Sequence, residues 1–227
     1  MKFNYRNLEN CHEATGVVVV IDVIRAFTNA AFAFSRGAQE IFPVSTVEEA
    51  LEFKRQYPEA LACGEVDGLP PEGFDFGNSP TYTDNLNLSE KIIVQRTGAG
   101  TQGAVRSVCA DRLLAASFVV AKATVNYVQS LSPDMITFVI SGQTYDGGEE
   151  DLACAQYLEE LLRGDSPDPV LFLERVKNSG HARVFYNPDQ PLFPETDIDH
   201  CISLDKFDFA MPIEREDGKL VMRCVIP

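Results

Sequence analysis

Residues 16–29 read GVVVVIDVIRAFTN. The run from Val17 to Ile21 is five β-branched residues in succession. Nothing polar alternates with them, so they read as a strand buried on both faces, as in the interior of a parallel sheet. Asp22-Val23-Ile24-Arg25 then carry a carboxylate and a guanidinium off its carboxyl end, ahead of the helix-compatible AFTNAAFAFSRG. In open α/β sheets ligands bind at the carboxyl ends of strands. Asp22 and Arg25 are therefore candidate site residues. The competing reading is a salt bridge between them that ties the loop.

Further strands are expected at residues 39–42, 60–63, 91–95, 112–116 and 135–140, alternating with helices. Ser45-Thr46 should cap a helix with Glu48 and Glu49 in its first turn. Ser117 is placed to cap FVVAKATVNYVQSL, and Pro133 to stop it. A helix should run from Glu149 to Gly164, and another over 167–178. Near the end, apolar runs on either side of Glu216-Asp217-Gly218 predict a β-hairpin. The alternation predicts one domain over 1–227, a three-layer α/β/α fold with a largely parallel sheet and a C-terminal β-hairpin.

Composition narrows the partners. The 227 residues carry a formal net charge of −15, which argues against nucleic acid and anionic membrane surfaces. The opening MKFNYRNLENCHEATG is polar and has no signal-peptide core, and no run is long enough to cross a bilayer. Six scattered cysteines without C-x-x-C spacing read as reduced thiols, four of them in apolar segments, and so point to the cytoplasm. His12, His181 and His200 show no metal-ligand spacing and read as surface or packing residues. A homodimer is the base-rate expectation.

Four loops then fall at strand carboxyl ends. Asp22 and Arg25 leave the first. Glu65 begins the second, a Gly- and Pro-rich stretch with Asp67, Asp75, Asn78 and Ser79. The third is Thr97-Gly98-Ala99-Gly100-Thr101-Gln102-Gly103, a literal G-x-G-x-x-G lacking the acid that a dinucleotide site wants about twenty residues on. Its freed amides and the Thr97 and Thr101 hydroxyls read instead as an anion seat at a helix start. The fourth runs through Tyr145, Asp146 and Gly147 to Glu149, Glu150 and Asp151, where acids in a first helical turn also suit the dipole. Carboxylates from separate loops, one anion seat and Arg25 together suggest a Mg²⁺-and-phosphate site. A different class using the same Gly98–Gly103 loop would be a non-catalytic module that binds a phosphorylated metabolite or nucleotide.

Read together, Ile21-Asp22-Val23-Ile24-Arg25-Ala26, Gly64-Glu65, Gly73-Phe74-Asp75-Phe76-Gly77-Asn78-Ser79-Pro80, Gly100-Thr101 and Gly147-Gly148-Glu149-Glu150-Asp151 resemble the 2-phosphosulfolactate phosphatase family. The likeness extends over residues 17–209, with G-F-D-x-G-N-S-P its most specific piece. It implies an α/β fold and Mg²⁺-dependent hydrolysis of 2-phospho-3-sulfolactate to 3-sulfolactate, a step toward coenzyme M. The family often shows a T-N-G-T-like third loop, where this chain has Thr97-Gly98-Ala99-Gly100-Thr101. On this reading the substrate is a small phosphate ester of a 2-hydroxy acid. Asp22, Glu65 and Asp75 hold Mg²⁺ or orient water, with Glu149, Glu150 and Asp151 as further acidic candidates. Arg25, Thr97, Gly98, Gly100 and Thr101 hold the phosphate, and Asn78 and Ser79 contact substrate oxygens.

Overall fold

A computed structural model describes residues 1–142 and 148–227. Its strands are β1 (Lys2–Asn7), β2 (Val17–Ile21), β3 (Glu40–Val44), β4 (Leu61–Gly64), β5 (Ile92–Arg96), β6 (Arg112–Ala116), β7 (Met135–Ile140), β8 (Met211–Glu216) and β9 (Lys219–Met222). They form one sheet in the order β1-β7-β2-β6-β8-β9-β3-β5-β4. The helices are α1 (Ala26–Ser35), α2 (Val47–Gln56), α3 (Pro80–Thr83), α4 (Gly100–Arg106), α5 (Ala121–Ser130), α6 (Glu149–Arg163), α7 (Pro169–Lys177) and α8 (Thr196–Cys201).

β2 is central in the way its composition requires. All five residues are 5% exposed or less. Val18 and Val20 enter one apolar cluster, while Val17, Val19 and Ile21 enter the cluster on the opposite face. The second cluster is closed by α5, α6 and α7, with Val125, Leu158 and Phe172 among its members. A third, smaller cluster packs Phe53 of α2 against Ala62 and Val94 of β4 and β5.

The sheet consists of two parallel blocks joined by a hairpin. β1, β7, β2 and β6 are mutually parallel neighbours, as are β3, β5 and β4. β8 and β9 run antiparallel to each other and to the strands flanking them. The turn between them uses Asp217 at φ 48° and Gly218 at φ 78°, the left-handed pair that a two-residue hairpin wants. One apolar cluster draws on both blocks and the hairpin: Val20, Ile41, Ile93, Met211 and Met222 share it with Phe27 and Phe32 of α1. Accordingly α1 is buried at every position from Ala26 to Phe34. A helix apolar all round belongs inside a fold. Sheet twist brings the blocks round this helix, so that α4 touches β2, β3 and β6 together.

One strand goes unread in the sequence, and one expectation is corrected. The polar opening stretch is in fact an edge strand, β1, paired with β7 along Lys2–Asn7. Its alternation places Phe3 and Tyr5 against Phe138, as a strand with one buried face should. Ser117 does not cap a helix: its hydroxyl is buried without a partner among the described residues, and a 3-10 turn over Phe118–Val120 precedes α5. The amide of Lys122 donates instead to Asp205 Oδ1 at 2.6 Å, a cap supplied from 83 residues away. Elsewhere Thr46 forms the full capping box with Glu49, and Gly164 ends α6 in the left-handed conformation. The six cysteines are free, four buried as expected. Among the described residues no helix is long and apolar enough to cross a membrane.

Candidate active site

Asp22 leaves β2 with its side chain 4% exposed. One oxygen accepts from the Ala26 amide at 2.8 Å, and the Gly100 amide also donates to the carboxylate. Gly100 must be glycine here, because a Cβ would stand 2.7 Å from Asp22 Oδ2 and 2.9 Å from the Ala26 methyl. Burial pushes the Asp22 carboxyl up to about 6, and the charges of Glu65 and Glu150 add to the rise.

Glu65, just past β4, bridges two loops. Its Oε1 accepts from the Gly98 amide at 2.5 Å and its Oε2 from the Gly68 amide at 2.7 Å. Asp151, in the first turn of α6, is 2% exposed. It accepts from the amides of Val23 and Gly142, each at 2.8 Å. Burial and then the Asp22 charge hold its carboxyl well above the usual range. These three carboxylates line one cavity of about 560 Å³, together with Asp67, Arg25 and Asn78. Two of the three are buried acids held above their ordinary range, which makes the cavity a candidate functional site. A second groove, of about 570 Å³ between α2 and the hairpin, contains none of these groups.

Several expected residues have other duties. Asp75 lies outside the cavity: Oδ2 takes the Lys54 ammonium and the Ala62 amide, both at 2.7 Å, and so pins its loop to β4. Ser79 donates to Asp197 Oδ1 at 2.7 Å rather than facing a ligand. The Thr97 and Thr101 hydroxyls are buried and bond each other's backbone, with the Thr101 amide donating to Thr97 Oγ1 at 3.1 Å and the Thr97 amide to Thr101 Oγ1 at 2.8 Å. Gly98 and Gly100 do present amides to anions, but those anions are the protein's own Glu65 and Asp22. Glu149 pairs with Arg175 on the surface. Tyr145, Asp146 and Gly147 lie outside the described residues.

Arg25 reaches the cavity but not as a free cation. Its Nη1 is 2.7 Å from Asp197 Oδ2, with both side chains nearly inaccessible. The guanidinium also lies 5.0 Å from the Phe185 ring centre and 5.1 Å from that of Phe193. The partner is thus Asp197, not Asp22. Asn78 is 5% exposed, and its Oδ1 has no hydrogen-bond partner among the described residues.

Sequence reading took one titratable residue of this cavity for a surface or packing residue. His181 lines it, and its Nδ1 lies 2.6 Å from Glu150 Oε1. Glu150 itself stands behind the imidazole and does not line the cavity. Among the described residues no three His, Cys, Asp or Glu side chains form a ready-made metal cage. The donor set nevertheless suits Mg²⁺, which keeps several waters and takes one or two carboxylates plus phosphate oxygens. Each carboxylate retains lone pairs after its backbone bonds.

Fold and site together define an α/β protein whose ligand cavity is walled by carboxylates at strand ends. The chain belongs to the 2-phosphosulpholactate phosphatase family, whose model matches residues 4–216. It is similar to probable 2-phosphosulfolactate phosphatases of several organisms. The Bacillus subtilis protein is 35% identical over 204 residues, covering 89% of this chain and 88% of the relative. That of Carboxydothermus hydrogenoformans is 32% identical, covering 90% and 89%. That of Thermotoga maritima is 35% identical, covering 83% and 85%.

Proposed function

We propose that this chain is a Mg²⁺-dependent phosphatase that hydrolyses the phosphate monoester of a small 2-hydroxy acid, of the 2-phospho-3-sulfolactate class. The substrate class rests on family membership and the names of the relatives. The observation that carries the cation requirement is the meeting of Asp22, Glu65 and Asp151 in one cavity. A phosphate ester is an anion, and these walls repel it unless a cation intervenes. Asp22 and Glu65, joined through the Gly98–Gly100 turn, would hold Mg²⁺. Bound there, Mg²⁺ supplies neutralisation of phosphoryl oxygens and a lowered pKa for a coordinated water.

The chain's own residues do the remainder. Asn78 offers its amide to a substrate oxygen. The Arg25 guanidinium, clamped by Asp197 and two aromatic rings, forms a rigid wall of the cavity. Asp22 already accepts backbone donors, so we favour direct attack of water over a phosphorylated Asp22; trapping such an adduct would reverse that choice. The binding-module alternative has less support, because the loop amides it requires already serve Glu65 and Asp22. We place the protein in the cytoplasm.

The test is phosphate release from a panel of phosphorylated hydroxy acids, including 2-phospho-3-sulfolactate, with Mg²⁺ and with chelator. Release that depends on Mg²⁺ is expected. Equal release in chelator would remove the cation from the reading, and no release from any ester would remove the phosphatase.

A further inference from the structure

His181 begins the short helical turn His181–Tyr186 and lines the cavity. A Cβ placed on Gly142 would meet Asp151 Oδ2, Glu150 Oε1 and His181 Cε1 within 3.1–3.3 Å, so these groups crowd one point of the wall. Glu150 is 1% exposed, and its Oε2 has no hydrogen-bond partner among the described residues. A carboxylate fixed behind an imidazole selects its tautomer: Nδ1 carries hydrogen and donates to Glu150, which leaves Nε2 for the cavity side. The imidazole is 42% exposed, so a ligand can reach it. Three acids bear on it, Glu150 and Asp151 of α6 and Asp22 at the end of β2, while the Arg25 charge is spent on Asp197. The hydrogen bond to Glu150 pushes the imidazole above its ordinary range.

The alkoxide of a 2-hydroxy acid is a poor leaving group, and the carboxylates at this cavity accept protons rather than supply them in their charged forms. Resting on the phosphatase reading above, we propose that His181 is the general acid that protonates the leaving oxygen, with Glu150 as its positioning residue. A water oxygen bonds phosphorus as the ester P–O bond breaks. That bond's electron pair goes to the alcohol oxygen, which takes the proton from Nε2. Both protons of the water leave first on the inorganic phosphate, and one returns to His181 to restore the imidazolium.

The experiment compares two esters, 2-phospholactate and p-nitrophenyl phosphate, with Mg²⁺ present. The nitrophenolate departs without a proton, so a general acid matters little for it. His181→Gln should lower kcat about a hundredfold or more on 2-phospholactate and less than about tenfold on the aryl ester. His181→Asn is measured in parallel, with thermal midpoints, so that a packing defect of one replacement does not decide the result. Equal losses on both esters, or none on either, overturn the assignment. If the parent hydrolyses neither ester nor any other phosphate ester tried, the phosphatase reading fails and this one falls with it. NMR titration gives a readout apart from turnover: in Glu150→Gln the His181 imidazole should titrate at lower pH than in the parent. An unchanged titration removes Glu150 from its role.

Discussion

At the end of β2, Asp22 is charged at neutral pH in surroundings that disfavour the charge. Its folded-state carboxyl sits at about 6, above the ordinary aspartate value of about 3.9. A raised acid favours the folded state at low pH and loses that contribution as pH climbs through the folded value. Asp22→Asn escapes this. Without divalent cation, its thermal midpoint should match or exceed the parent's at pH 7.5, with the advantage shrinking towards pH 4. Mg²⁺ should raise the parent's midpoint at pH 7.5 and leave the variant nearly unmoved. Phosphate release by the variant should fall to background. A fully active variant would take Asp22 out of the site. Arg25 presents the opposite case, because Asp197 beneath it has no exposure at all. Arg25→Ala strands that buried carboxylate, and urea unfolding should show a loss of about 3–5 kcal/mol. A loss below about 1 kcal/mol, the worth of a surface pair, would contradict the buried geometry.

Elements explain which parts of the site could be read from sequence. β2 was legible because five β-branched residues in a row admit few alternatives. Glu65 and Asp151 were legible as acids at the ends of strands or the start of a helix. Arg25 was legible as a site residue or as half of an ion pair with Asp22, but its actual partner was not, since Asp197 lies 172 residues away. His181 gave no signal for the same reason: Glu150, 31 residues earlier, is what gives it meaning. The hydroxyls of Thr97 and Thr101 were misread as ligand donors because composition does not reveal that the turn consumes them itself. β1 was overlooked because an edge strand with one apolar face has only two large apolar residues to show. Gly100 tests the element directly. Gly100→Ala must push α4 away from Asp22, and a displacement on that scale should cost about a hundredfold in kcat. Thermal stability should fall far less than activity. An active Gly100→Ala would show that the approach of α4 to β2 is not needed.

Across the whole molecule, the two parallel blocks share one apolar cluster and are bridged by β8 and β9. The ladder between β9 and β3 rests on the Ile41–Met222 pair. Met222 is fully buried, so Met222→Ala should remove about 2–5 kcal/mol. The loss should appear as one transition in both far-ultraviolet circular dichroism and tyrosine fluorescence, because the cavity draws walls from both blocks. Separate transitions by the two probes would mean that the blocks unfold independently.

The bridging hairpin comes after the other seven strands in the chain. On the ribosome, β1 to β7 emerge while the seam between the blocks is still open, leaving the edges of β6 and β3 without neighbours. Those two edges would be natural footholds for a chaperone, or for another nascent copy, until residues 211–222 are released to seal them.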